Sequence, residues 1–209
     1  LLDVASMHPH SLMAEALFGV RYTRRFREIV LGRIYIKHED WDKAEKILDG
    51  KLKPFVDKLR AMGDAERKSQ GKNLANALKT AINSVYGLTS AKFENPFRDI
   101  RNIDNIVAKR GALFMIDLKH AVQEKGFTVA HIKTDSIKIP NATPEIIQFV
   151  MDFGKKYGYT FEHEATYERM CLVNDAVYIA KYANIPEING KHCGEWTATG
   201  KEFAIPYTY

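Results

Sequence analysis

The sequence predicts an α/β (α+β) fold: one antiparallel sheet backed by helices, with a charged helical hairpin inserted between its strands. Three observations predict it. Short apolar runs over 1–6, around Lys133-Thr134-Asp135-Ser136 and over 160–180 have strand character. Helix formers dominate the stretches between them, over 40–89 and 103–125. With 209 residues, 45% of them hydrophobic, the chain is also long enough to bury a core.

The elements follow in order. Residues 1–6 read as a short strand cut by Pro9, with His8 and His10 alternating at its end so that both face one side. Residues 21–37 are basic and mixed, with Ile29-Val30-Leu31 and Ile34-Tyr35-Ile36 as strand or buried pieces. Over 40–70 the helix formers are segmented by Gly50, Pro54 and Gly63, and Gly71 turns the chain into a second helix over 73–89. Two charged antiparallel helices are the expected result. A further helix over 103–125 takes Ile106, Leu113, Ile116, Leu118 and Val122 as its apolar positions and ends at Gly126. FTVAHIKTDSIKIP then has the pattern of a tight hairpin. Thr143-Pro144-Glu145 opens a helix that runs to about Tyr157 and stops at Gly158. Strand sequence follows over 160–180, and Asn189-Gly190 marks another hairpin turn.

Charge and cysteine content narrow the partners. The net charge of +5 and a pI near 9.0 favour a polyanion, weakly. No apolar run approaches the roughly 18 residues that would span a bilayer, and no signal peptide pattern opens the chain, so no membrane partner and a cytoplasmic location are expected. A chain that opens in mid-strand at Leu1-Leu2-Asp3 reads as part of something larger. Cys171 and Cys193 are expected to be reduced thiols, and without CxxC or HxxxH spacing they predict no zinc site.

Two carboxylates and one helix face could carry chemistry. Asp3 ends an apolar strand and Asp135 sits at the hairpin turn. Lys133 could neutralise them, which makes the pair structural. Alternatively the two strand ends lie side by side and grip divalent cations, magnesium being suited to one or two carboxylates plus water and phosphate. On the second helix, Lys72, Lys79, Asn83 and Tyr86 fall within about 60° at 100° per residue. Ala75, Leu78 and Ile82 lie beside that stripe, and Ala77, Ala81 and Val85 add packing. The stripe is either a solvated basic face or a place for a triphosphate and a flat base pair. Arg67 and Lys68 could add charge at its phosphate end.

These residues resemble the three polymerase motifs of the B-family DNA polymerases, in order, with the closest likeness to phage replicative enzymes. DVASMHPHSLM, starting at Asp3, resembles the first motif, Asp-x-x-Ser-Leu-Tyr-Pro. KTAINSVYG, starting at Lys79, fills every specified position of Lys-x-x-x-Asn-Ser-x-Tyr-Gly. HIKTDS, starting at His131, resembles the third, Tyr-Gly-Asp-Thr-Asp-Ser, and TGKEFAIPY near the end is similar to phage sequence leading into the thumb.

The resemblance implies a polymerase palm over 1–37 and 91–185, a helical-hairpin fingers insertion over 38–90, and the start of a thumb-proximal region over 186–209. It implies a template-directed DNA polymerase that adds dNTPs to a primer 3′-hydroxyl with two Mg2+ ions, Mn2+ being able to replace them. Asp3 and Asp135 would be the catalytic metal ligands, with the Val4 carbonyl completing the set. The backbone at Ser6 and Met7 would hold the triphosphate tail, and Lys79, Asn83 and Arg67 would contact its phosphates. Tyr86 and Gly87 would lie at the nascent base pair and template, and Tyr178 would hold primer DNA. Primer–template DNA, dNTP and replication accessory proteins are the implied partners, in a host cytoplasm if the chain is phage-encoded.

Three positions depart from the pattern. His8 stands where a tyrosine blocks a ribose 2′-hydroxyl, which points to ribonucleotide tolerance. Lys133 replaces the first aspartate of the third motif. Ala176 stands where a lysine is expected two residues before Tyr178, and Lys181 could substitute. Two other readings share these residues: a polymerase-like module that binds nucleic acid without turnover, and a polymerase tolerant of ribonucleotides.

Overall fold

A computed structural model describes residues 1–199. Most of the TGKEFAIPY segment and the end of the expected thumb-proximal region therefore lie outside the described residues. In chain order the elements are β1 (Leu2–Val4), α1 (Met7–Ala14), α2 (Gly19–Lys37), α3 (Trp41–Ala44), α4 (Lys53–Arg60), α5 (Asp64–Thr89), α6 (Ile100–Ile103) and α7 (Ile106–Glu124). They continue as β2 (His131–Lys133), β3 (Ser136–Lys138), α8 (Pro144–Lys156), β4 (Phe161–His163), β5 (Tyr167–Leu172), β6 (Tyr178–Tyr182), α9 (Pro186–Asn189) and β7 (Trp196–Thr199). The fold is mixed α+β with two small antiparallel sheets, where the sequence led us to expect one.

The chain divides into two compact units. Among the described residues the sheet unit comprises Leu1–Met7 and 110–199; the helical unit is His8–Lys109. The helical unit is thus wider than the 38–90 insertion expected from sequence.

In the sheet unit, four strands run in the order β2-β3-β1-β4, every pair antiparallel. One face of this sheet carries Leu2, Val4, Ile137 and Phe161 into a core completed by Phe114, Met115, Leu118 and Val122 of α7 and Ile146 and Val150 of α8. Burying each such side chain contributes roughly 1.5–3 kcal/mol. Leu113 and Ile116, expected inside, are 61% and 47% exposed; Phe114 and Met115 take their place. The α7 stripe is rotated by about one residue from the expected one. Gly126 ends the α7 segment with φ +84°, as expected. The expected helix at Thr143-Pro144-Glu145 is α8, capped at Tyr157 with Gly158 at φ +84°. Strands β5, β6 and β7 form the second sheet. Asn189-Gly190 is not its hairpin turn. Asn189 is buried, donates to the carbonyls of Thr166 and Ala183 and accepts from the Thr166 N–H, so its amide fastens a long β6–β7 connection.

In the helical unit, the Ile-Val pieces expected over 21–37 as strand or buried segments are buried or half-buried, and they belong not to a strand but to helix α2. Its Phe26, Val30, Gly32 and Ile36 recur at helical spacing and are buried, and that periodicity outweighs the β-propensity of the Ile-Val runs. The antiparallel partner of α5 is α2. Phe26 and Val30 cluster with Ile82, while Ile36 clusters with Ala75 further toward the α5 start. α5 starts at Asp64 and runs through Gly71, which is buried with space for a Cβ 3.5 Å from the Trp41 ring. Gly71 lies against the Trp41 ring within α5 and does not turn the chain. Ala77 and Ala81, expected to pack, are exposed. Pro9 does not cut the chain either: Pro9, His8 and His10 all lie in α1, whose first turn needs no N–H from proline.

Candidate functional site

Strand alternation builds the polar face of the four-stranded sheet. Asp3 pairs with Ser136 on one side and Glu162 on the other, so all three point away from the core side that Leu2, Val4 and Ile137 occupy. Two residues along, Lys138 and Glu164 share that polar side, as do His131 and Lys133 of β2. The Thr134-Asp135 turn sits at the end of this face. Thr134 has φ +52°, the left-handed conformation that a two-residue hairpin requires. The Val4 N–H donates to the Asp135 carbonyl at 2.9 Å. Main chain therefore ties the strand bearing Asp3 to the turn bearing Asp135.

Asp3 feels its neighbours strongly. Burial raises its pKa to about 7, and the charges of Asp135, Glu164 and Glu162 push in the same direction while Lys138 opposes them. A carboxyl crowded this way is relieved by a cation. Lys133, the expected neutralising partner, does not supply one. Its ammonium donates to the Ala176 carbonyl at 2.8 Å. Lys138 is the nearby lysine instead, buried at 5% exposure, and burial holds its pKa below the ordinary range, with Lys133 adding to the effect. The donor set suits a hard divalent ion that takes one or two carboxylates and fills its shell with water and phosphate oxygens. Among the described residues no three His, Cys, Asp or Glu side chains form a cation cage by themselves.

Tyr178 lies in the same unit, buried at 6% exposure. Its hydroxyl meets that of Tyr167 at 3.3 Å, and the Lys138 ammonium sits 4.7 Å from its ring centroid. The side chain is packed beneath Lys138, so little of it is open to DNA. Lys181, the candidate substitute for the missing lysine, pairs with Glu168 at 3.0 Å.

Ser6 and Met7 join β1 to α1. Ser6 has φ +60°, and Met7 opens the helix, where first-turn N–H groups have no acceptor within the helix.

In the helical unit, Lys72, Lys79 and Asn83 are exposed along α5, and Gly87 is exposed with open space where a Cβ would stand. Tyr86 is half-buried, and burial raises its phenol pKa. Its ring lies 4.6 Å from the ring of His8. A cavity of about 400 Å3 opens further along the helix, lined by Arg33, Lys37, Trp41, Arg67, Lys68 and Lys72 among others. Arg67 pairs with Asp64 and lies 3.6 Å from Glu39, yet its buried Nε has no hydrogen-bond acceptor. That Nε is the atom nearest the Glu39 carboxylate, which also lines the cavity, so Glu39 and Asp64 offset part of the positive charge gathered there.

Sequence reasoning missed Glu162, Glu164, Lys138, Arg33, Lys37 and Trp41. The first three had a signal in the alternation of Phe161-Glu162-His163-Glu164-Ala165 and Ser136-Ile137-Lys138. Arg33 and Lys37 had none while residues 21–37 were left as strand or buried pieces and not recognised as one helix. Cys171 and Cys193 are both free thiols. Among the described residues no helix is long and apolar enough to cross a membrane. No protein-family model matches this chain, and no curated protein matches it.

Proposed function

We propose that this chain carries the nucleotidyl-transfer site of a template-directed DNA polymerase of the B-family kind, with a palm over 1–37 and 91–185 and a fingers insertion over 38–90. The observation that carries this reading is the hydrogen bond from Val4 to Asp135, which joins two carboxylate-bearing segments on the polar face of one sheet. The complete series of Lys79, Asn83, Ser84, Tyr86 and Gly87 on α5 supports it independently.

In the reaction, the primer 3′-oxygen bonds to the α-phosphorus of a dNTP and the bond to the β-phosphate breaks, releasing pyrophosphate. Magnesium or manganese held at Asp3, Asp135 and the Val4 carbonyl would activate that oxygen and steady the leaving group. Within the helical unit, Lys79, Asn83 and Arg67 would offer contacts to phosphates, Lys79 stabilising the charge that develops on them; within the sheet unit, the backbone groups of Ser6 and Met7 would do the same for the triphosphate tail. Tyr86 and Gly87 face the new base pair. Tyr178, 6% exposed beneath Lys138, has little surface left with which to hold primer DNA, so no primer contact is assigned to it.

Primer extension on a primed template tests this. Asp135→Ala is expected to abolish Mg2+-dependent extension. Retained template binding with no extension by the wild type would mark the chain as a binding module.

The pairing of His8 with Tyr86 favours one addition. An imidazole leaves more room at the sugar than a tyrosine, so the polymerase accepts ribonucleotides. His8→Tyr is expected to lower NTP incorporation relative to dNTP on the same template; an unchanged ratio would remove His8 from the sugar site.

A further inference from the structure

We propose that Lys138 is a resident cation of the carboxylate site, a positioning residue that weakens divalent-ion binding there until the phosphates of a nucleotide arrive. The inference rests on the reading of Asp3 and Asp135 as metal ligands.

The geometry of Lys138 is unusual for a counter-ion. It is 5% exposed and shares the polar sheet face with Asp3, because Ile137 pairs with Leu2 and Ser136 with Asp3. Among the described residues no carboxylate lies within ion-pair distance of its ammonium. The ammonium rests instead over the Tyr178 ring, 4.7 Å from its centroid, and 3.4 Å from the Ser136 hydroxyl. Tyr178 is itself fixed by burial, by Tyr167 and by the edge of the His131 ring at 6.0 Å. The positive charge is therefore placed where Asp3, Asp135 and Glu164 feel it, with little exposure to water.

Had the ammonium closed on Asp3, it would occupy the oxygen lone pairs that a metal needs. Held on the ring, it leaves those oxygens open while offsetting part of their charge. A divalent ion entering alone meets its repulsion, which acts over several ångströms in a half-buried setting. A triphosphate brings negative charge of its own and cancels that repulsion. Metal and nucleotide binding are then coupled through one fixed lysine.

The test is Mn2+ binding followed by electron paramagnetic resonance at pH 8, above the range in which Asp3 takes up a proton, with Mn2+ alone and with Mn2+ plus dATP. Lys138→Met is expected to bind Mn2+ alone about tenfold tighter than the wild type, Lys138→Arg to match the wild type, and the difference to shrink with dATP. Lys138→Gln serves as the second neutral variant if Lys138→Met does not fold, as judged by its melting curve. An affinity of the neutral variant equal to or below that of the wild type, including no binding by either, overturns the proposal. Asp135→Ala separates the two claims: wild-type Mn2+ binding by that variant overturns the ligand assignment itself.

Discussion

A carboxyl group half-buried beside other carboxylates gives up its proton late, and Asp3 is in that position. Its pKa is about 7 in the folded chain against an ordinary 3.8. Between those values the folded state binds more protons than the unfolded state, so stability falls as pH rises. The contribution is fully present below about pH 4 and lost as pH passes through 7. Without added metal, the wild type is expected to melt at progressively lower temperature across that window, and Asp3→Asn to flatten the decline. A parallel pH profile for both proteins would contradict the assignment. A divalent ion competes with that proton, so Mn2+ affinity is expected to rise up to about pH 7 and then level off. At this scale the sequence was informative about Asp3 and Asp135 because motif spacing marked them. It misdirected the reading at Lys133, whose charge suggested a partner for the carboxylates, while its ammonium goes to the Ala176 carbonyl.

Helix α5 presents its chemistry as a stripe, and helix α8 presents a packing constraint. Lys79 is exposed on α5 with Asn83 one turn on. Its removal as Lys79→Ala is expected to lower kcat/KM for dNTP by about 10²–10³-fold, as for other groups aimed at developing charge. Steady-state kinetics with a single dNTP reads this, and a loss below threefold would detach Lys79 from the phosphates. On α8, a Cβ added at Gly154 would stand 2.7 Å from the Phe161 ring and 3.2 Å from the Tyr159 carbonyl. Phe161 is buried and cannot retreat, so Gly154→Ala is expected to destabilise the sheet unit by about 1–3 kcal/mol in urea unfolding. An unchanged midpoint would mean the ring can move. α8 was legible because Pro144, Glu145 and Gly158 punctuate it. α2 was not, because its β-branched runs favour strand locally and drew attention from the helical recurrence of Phe26, Val30 and Ile36 that buries them.

Over the whole molecule, two units each have their own core. Leu118, Ile137 and Val150 anchor the sheet unit, while Val30, Ile82 and Val107 anchor the helical one. The mixed α+β class was readable from alternating strand and helix runs, and the second sheet was not. Residues 160–180 read as strand-like sequence, and nothing local says that β4 joins one sheet while β5 and β6 build another. Such partition depends on long-range pairing that spacing does not encode. The candidate site was legible where a complete short series carried it, at Lys79 to Gly87, and illegible where the fold assembles it from distant strands, as with Glu162 and Lys138. The central claim is that Asp3 and Asp135 serve metal-dependent nucleotide transfer. Its most direct measurement is extension of a primed template by the purified protein with Mg2+ or Mn2+, wild type beside Asp135→Ala. The wild type is expected to add dNTPs as the template directs and the variant to add none; extension that survives Asp135→Ala, or no extension by the wild type with either ion, would remove Asp3 and Asp135 from that role.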